Sequence, residues 1–432
     1  MESLQLWGGL ECSVVRIGNE WRDQVQETGH HDRADADLDL LHGLGLRTLR
    51  YPVLWERCAA GHRTAVGWDW HVARLRRMAA RGMEPILGLL HHGAGPDGVD
   101  LLHPGLAEGL AAHAAAAADR FPHVTWWTPV NEPLTTARFA CLYAFWHPHL
   151  RDEDAFLRAV VNQCHAALLA VRAIRARIPG ARFVHTEDTG RSFSTRAVRR
   201  QAVYENSRRW LSLDLLCGDL GASHPWRGRL ERAGVTPRVL DELATGEARP
   251  DLVGINHYVT SNRFLDHRQH LYPLHLRHPD PVDGYVDTEA ARVDLSPEAA
   301  GWAARLREVW ARYRLPVAVT EAHLGCTDPH EQLRWLMQAW DAAQLVRSEG
   351  VDIRAVTAWA LFGLMDWDSM LRHNAGRYEP GVFDASQPRP RPTLLAEAVR
   401  QLARDGQFTH PALDGPGWWE RDDRVSASLR QA

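Results

Sequence analysis

Short apolar runs that look like buried strands alternate with longer helical stretches eight times along this 432-residue chain, and no other feature narrows its fold so far. The strand-like runs fall at residues 4–8, 47–51, 84–90, 124–130, 181–185, 252–255, 317–320 and 355–361. Residues 35–44, 68–81, 104–120, 152–177, 198–216, 297–313, 331–347 and 393–403 carry the helical stretches between and after them. A strand followed each time by a helix implies parallel pairing, because a parallel neighbour is reached only through a crossover. Eight such units predict an α/β chain, a single-domain (β/α)8 TIM barrel over residues 1–406. Residues 407–432 then form a C-terminal tail, docked or frayed. Such barrels need about 250 residues, so the surplus belongs to loops. The sequence puts it after the fourth, sixth and eighth strands. An open doubly wound sheet fits the alternation almost as well, but no G-x-G-x-x-G follows any strand, which argues against a dinucleotide site.

In a barrel of this kind the C-terminal ends of the strands carry the chemistry. The fourth strand runs through Trp126-Trp127-Thr128-Pro129-Val130 and stops at Asn131-Glu132-Pro133, where the proline cannot continue a ladder. The seventh, Val317-Ala318-Val319-Thr320, ends in Glu321. Two carboxylates at the ends of two strands are what acid-catalysed glycoside cleavage requires. Other polar residues at strand ends are Glu11, Arg50, His91, His92, Glu187, Asn256, Tyr258, Trp359, Asp366 and Trp367. Neighbouring residues on a strand point to opposite faces, so His91-His92 is not read as a metal pair, and no metal is expected. Glu187-Asp188 reads equally as a wall of the pocket or as solvated loop. Trp418-Trp419 reads as packing rather than a sugar platform.

Composition removes several classes of chemistry. All 50 basic residues are arginine. A Schiff-base lysine, a pyridoxal-phosphate anchor and a Walker phosphate loop are thereby excluded. No cofactor is expected. A formal net charge of −4 without blocks of like charge gives no electrostatic case for nucleic acid or an anionic membrane. The six cysteines contain no C-x-x-C pair and read as reduced thiols. Met1-Glu2-Ser3-Leu4-Gln5 lacks a basic region followed by an apolar one, so the expected location is the cytoplasm. The oligomeric state stays open.

At this point the sequence resembles the family 1 glycoside hydrolases, the β-glucosidase group, over nearly its whole length. Trp127 to Pro133 matches the W-x-x-x-N-E-P of that family's acid/base motif, and Val319-Thr320-Glu321 matches the start of its nucleophile motif, T-E-N-G. Arg50-Tyr51 with Trp55, and His91, sit as in the second- and third-strand patterns. Residues 251–258 resemble D-F-x-G-x-N-Y-Y, and residues 359–367 resemble W-S-L-x-D-N-F-E-W. The resemblance implies a retaining mechanism without cofactor on a small-molecule glycoside. Glu132 would be the general acid/base and Glu321 the nucleophile, with Arg50 and Tyr258 holding Glu321. Asn131 would bind the sugar 2-hydroxyl, and His91 the sugar. In retaining enzymes the two carboxyls stand about 5–5.5 Å apart.

Departures from the family pattern cluster in the residues that read the sugar. The first-strand glutamine has no clear counterpart, with Glu11 or Arg16 in that region. His92 replaces a usual tryptophan, and Ala322-His323 replaces Asn-Gly. Gly363-Leu364-Met365-Asp366 replaces D-N-F-E, shortening the carboxylate that grips the distal hydroxyls. A hexose other than glucose, or a modified sugar, is one expectation from this pattern. Two competing readings keep the barrel: a transglycosidase passing the sugar to another acceptor, and a catalytically weak sugar-binding accessory barrel.

Overall fold

The computed structural model describes residues 3–277, 284–426 and 429. Eight parallel strands close into a barrel: β1 (Gln5–Gly9), β2 (Thr48–Pro52), β3 (Glu84–Gly88), β4 (Trp126–Thr128), β5 (Arg182–Asp188), β6 (Leu252–His257), β7 (Val317–Ala322) and β8 (Ile353–Ala358). Each pairs with its sequence neighbour, and β1 joins β8 (Gln5 beside Ala355) to complete the ring. The open sheet is thereby set aside. The main outer helices are α1 (His30–Gly43), α2 (Gly67–Ala80), α3 (Leu106–Arg120), α4 (Glu153–Arg175), α5 (Leu211–Cys217), α6 (Trp302–Tyr313), α7 (Pro329–Ser348) and α8 (Leu394–Asp405).

Single side chains from six of the strands fill the lower barrel. Trp7, Ile86, Val184, Leu252, Ala318 and Ala355 form an apolar plug with Trp126 against it. Water is therefore kept from the floor of the site. The larger core lies outside the ring, where the buried faces of the helices meet the barrel wall. Above the plug the wall turns polar and the loops take over.

Those loops hold elements that periodicity did not announce. Val14–Ile17 and Glu20–Asp23 form a hairpin after β1. Ser192–Ser194, Arg263–Asp266 and Val286–Glu289 make a small three-stranded sheet from the loops after β5 and β6. The expected helix at 198–216 is two helices, Arg199–Arg208 and α5, because the chain breaks at Arg209-Trp210. Likewise 297–313 divides into Pro297–Ala300 and α6. The long stretch after β6 includes residues 278–283, and the tail includes 427, 428 and 430–432; these lie outside the described residues.

Of the tail, residues 418–424 are docked on α7. The Trp419 indole donates to Gln338 Oε1 at 2.9 Å and the Trp418 amide to Glu331 Oε2 at 3.0 Å, while the Arg421 guanidinium pairs with Glu331. No helix among the described residues is long and apolar enough to cross a membrane.

Candidate active site

Glu132 owes its position to a sharp turn. β4 pairs for only three residues, after which Asn131 bridges to His91 on one side and Thr186 on the other. The Glu132 amide then donates to Thr186 O at 3.0 Å. At Glu132 the backbone swings into the left-handed region (φ 47°, ψ 59°), which non-glycine residues enter only when their surroundings hold them there. Pro133 opens the helix Pro133–Ala137, its fixed φ suiting a first helical position. Glu187 clamps this turn. Its buried carboxylate accepts from Leu134 N at 2.9 Å, from the Thr135 amide and hydroxyl, and from Ser212 Oγ at 2.8 Å. Of the two readings of Glu187, the solvated loop is excluded by its complete burial.

Glu321 is delivered by an irregular strand. Pairing of β7 with β6 steps from Val319–Ile255 to Glu321–Asn256, so Thr320 is an extra residue, a β-bulge that re-aims the strand end. The Thr320 hydroxyl donates to Asn256 Oδ1 at 2.7 Å and its carbonyl accepts from Arg50 Nη1 at 2.8 Å. Arg50 also reaches Glu321 Oε1 at 2.7 Å and Asn131 Oδ1 at 2.8 Å, with its guanidinium 4.8 Å above the Trp359 ring. Tyr258 donates its hydroxyl to the other Glu321 oxygen. Asn256 Nδ2 donates to Glu132 Oε1 at 2.7 Å. A chain of hydrogen bonds, passing through the Thr320 hydroxyl and carbonyl, therefore runs Glu132–Asn256–Thr320–Arg50–Glu321 across one pocket.

The two glutamates receive different company. Burial raises both. Glu132 goes well above the carboxylate range, because Glu321, Glu187 and Asp188 add repulsion to burial, against which the neutral Asn256 amide pulls. For Glu321 the Arg50 cation and the Tyr258 hydroxyl pull against burial. Glu132 is therefore the last of the pair to ionise. The histidines supply no compensating charge: burial, with His92 and Arg50 nearby, holds His91 far below its usual value, and burial with Arg50 lowers His92 to about 3.

The other expected residues surround this pair. His91 stacks on Trp359 (centroids 5.8 Å, planes 8° apart), with Nε2 3.2 Å from the Asn131 amide nitrogen. The Asn131 carbonyl is taken by Arg50 and Thr186, which fixes the amide and leaves one N–H of its nitrogen for a ligand. His92 does not point away from His91; their rings meet at 4.8 Å. Strand alternation fails there because β3 has ended at Gly88 and His92 is left-handed (φ 57°). His92 Nε2 is 3.7 Å from Glu132 Oε2, and Nδ1 is 2.8 Å from Thr136 Oγ1. Among the described residues, no three His, Cys, Asp or Glu side chains converge as metal ligands would.

Glu11, not Arg16, enters the pocket. It is buried beside Glu321 and accepts from the Ser13 hydroxyl at 2.6 Å; burial, then Glu321, raises it to about 7. Arg16 is on the hairpin, donating to Gly18 O. Trp367 stands further out, edge-on to His92 at 5.9 Å. Asp366 is committed to protein partners: Arg22 Nη2 at 2.9 Å and the amides of Gly376 and Arg377.

Sequence reasoning passed over several residues at this mouth. His323 bridges Trp359 O at 3.2 Å and Glu379 Oε2 at 3.1 Å. Trp146 packs on both His92 and Trp367. Arg22 neutralises Asp366 from the hairpin. Only His323 carried a signal, as the replacement beside Glu321; the others sit in loops whose course the sequence does not reveal.

Known proteins share this architecture. The model of glycosyl hydrolase family 1 matches residues 16–379. The chain is 22% identical over 380 residues to an aryl-phospho-β-D-glucosidase (BglC) of Bacillus subtilis, covering 78% of each chain. It is 23% identical over 371 residues to β-glucosidase A of Thermotoga maritima, again covering 78% of each. In three dimensions it resembles the Thermotoga maritima β-glucosidase solved with deoxynojirimycin (TM-score 0.75, 17% identity, 95% of this chain and 99% of that one).

Proposed function

The chain belongs to glycosyl hydrolase family 1 and is a β-glucosidase-like hydrolase; from that premise we propose that it cleaves a β-linked sugar with retention, using Glu132 as acid/base and Glu321 as nucleophile. The observation that carries the assignment is the unequal company of the two carboxyls. Glu321 faces a guanidinium and a phenol, which favour its anion. Glu132 takes a hydrogen bond from a neutral amide, lies 3.7 Å from the His92 ring nitrogen, and is repelled by Glu321, Glu187 and Asp188, which favours its proton. The first step needs this division of labour. An ionised Glu321 oxygen attacks the anomeric carbon while the Glu132 proton passes to the glycosidic oxygen, so the C–O bond breaks and the alcohol leaves.

The glycosyl ester then removes the negative charge of Glu321, and Glu132, no longer repelled by it, ionises more easily. Glu132 takes a proton from water, whose oxygen attacks the anomeric carbon and displaces Glu321. Two inversions retain the β configuration. Arg50, freed from one full charge, stays anchored on Asn131 and Thr320 O.

Azide separates the two roles. With Glu132→Ala and an aryl glycoside whose leaving group needs no proton, azide should intercept the glycosyl-enzyme and give the β-glycosyl azide. With Glu321→Ala, azide should displace the aglycone directly and give the α-azide. The same anomer from both variants, or rescue of neither, would reject the assignment.

The sugar is proposed to differ from unmodified glucose. Glu11 (beside Glu321), His92 and His323 are buried residues that depart from the family pattern, and Asp366 is already neutralised by Arg22. Initial rates on a panel of aryl β-glycosides should favour another sugar over the glucoside; a glucoside at the head of the panel would end this reading.

A further inference from the structure

Behind the two glutamates, the Asn256 amide stands among three oxygen atoms. Its Nδ2 lies 2.7 Å from Glu132 Oε1 and 3.4 Å from Asn131 Oδ1, and its Oδ1 lies 2.7 Å from the Thr320 hydroxyl. Turning such an amide over would exchange donor and acceptor. The surroundings favour one orientation. Asn131 Oδ1 accepts from Arg50 Nη2 at 2.8 Å and from Thr186 Oγ1 at 2.7 Å, so it is an oxygen and wants a donor, not a second oxygen, opposite. The Thr320 hydroxyl then donates to the Asn256 carbonyl. Both residues are fully buried, so bulk water is not at hand to replace that donor.

Thr320 reaches Asn256 because two local features make room for it. It is the extra residue of the β7 bulge, and its side chain occupies space left by Gly254. A Cβ on Gly254 would lie 2.5 Å from Thr320 Oγ1 and 2.8 Å from Thr186 Cγ2.

The orientation of the amide has a chemical consequence. Glu132 Oε1 receives an N–H, so it must offer a lone pair, and the acid proton belongs on Oε2. Oε2 has no hydrogen-bond partner among the described residues; His92 Nε2, at 3.7 Å, is beyond hydrogen-bond reach. With the amide reversed, its carbonyl would draw the proton to Oε1 and hold it against a fully buried residue.

We propose that Thr320 is a positioning residue of the acid/base step: its hydroxyl locks the Asn256 amide with the nitrogen on Glu132 Oε1, which leaves Oε2 to give the proton to the departing oxygen and to take one from water. The inference rests on the reading of Glu132 as acid/base. In the second step the same N–H favours the Glu132 anion, working against burial and the repulsion from Glu187 and Asp188.

Thr320→Val removes the hydroxyl, keeps nearly the same shape and keeps the main-chain carbonyl that Arg50 uses. The titratable groups around Glu132 are Glu321, Glu187, Asp188, Tyr258 and the neutral His92, and the Thr320 hydroxyl bonds to none of them. Two substrates of one sugar, its phenyl and 2,4-dinitrophenyl β-glycosides, separate proton donation from nucleophilic attack. In Thr320→Val, kcat/KM for the phenyl glycoside should fall about tenfold, the scale of one hydrogen bond. For the dinitrophenyl glycoside, whose leaving group needs no proton, it should fall by no more than about threefold. The basic limb of the phenyl profile should move up by about half a pH unit, since a carbonyl turned to Glu132 favours its protonated form. Thr320→Ala should show the same split, and Thr320→Ser, which keeps the hydroxyl, should restore rate and profile. Equal losses on both glycosides, an unmoved basic limb, or no rescue by serine would overturn the proposal. Glu132→Ala is the control: if it too costs both glycosides equally, the acid/base reading falls and this inference with it.

Discussion

Tyr258 is the residue where the electrostatic argument can be read most directly. Its hydroxyl donates to Glu321 and opposes the upward push of burial. Tyr258→Phe removes that donor, so Glu321 should take up its proton at higher pH. The acid limb of kcat/KM is expected to move up in pH, with the plateau lower by about tenfold, the scale of one charge-assisted hydrogen bond. An unmoved acid limb would mean that Glu321 does not govern it. The residue scale is also where the sequence was most informative. Glu132, Glu321, Arg50 and Asn131 stand in contiguous motifs at strand ends. Glu187 was ambiguous because its donors, Leu134, Thr135 and Ser212, lie far from it in sequence or become donors only once the turn has formed. Nothing in Asp366 itself announced Arg22, 344 positions away.

At the scale of elements, two short pieces of backbone decide where the chemistry sits. One is the turn into Pro133–Ala137, held by Glu187. Glu187→Gln presents an amide where only acceptors fit, leaving a buried N–H against other donors, so a loss of about 1–3 kcal/mol is expected. Because the turn carries Glu132, kcat should fall more than KM rises; loss of stability with kcat intact would make Glu187 a structural clamp only. The other is the end of β1. A Cβ on Gly9 would lie 2.4 Å from the Trp359 ring, so Gly9→Ala must push that indole off β1 and disturb its stack with His91. Weaker sugar binding, seen as a higher KM, is expected, and an unchanged KM would show that Trp359 does not contact the substrate. All eight strands were legible because apolar runs between helices survive in any loop context. The bulge at Thr320 was not, since an extra residue leaves no trace in composition. The hairpin at 14–23 and the break at Arg209-Trp210 were hidden for a related reason: both answer to tertiary contacts rather than to local periodicity.

Across the whole molecule, buried carboxyls make stability depend on pH in an unusual direction. Burial raises Glu11, Glu56 and Glu187 to about 7 each. Between the unfolded value near 4.5 and about 7, the folded chain binds more protons at these groups than the unfolded chain does. Stability from them is thus complete below the lower limit and drains away as pH rises, by up to about 1.4 kcal/mol per pH unit for each group. Glu56 offers the clean test, since it accepts from Gly95 N, has one oxygen without a partner among the described residues, and lies outside the proposed catalytic pair. The melting temperature should fall from pH 5 to 8, and less steeply for Glu56→Gln. The same melts bear on the proposal that tail and barrel form one unit: the anchorage of residues 418–424 on α7 predicts a single transition.

Arg50 ties β2 to the end of β7, three strands round the ring, through the Glu321 carboxylate and the Thr320 carbonyl. A knock-out made for trapping a sugar complex is therefore not an arbitrary choice. Replacing Glu321 with a short apolar side chain leaves a buried guanidinium without its carboxylate, held to β7 by the Thr320 carbonyl alone. Glu132→Gln keeps both of those ties while removing the proposed proton transfer, and is the safer template for capturing an intact ligand.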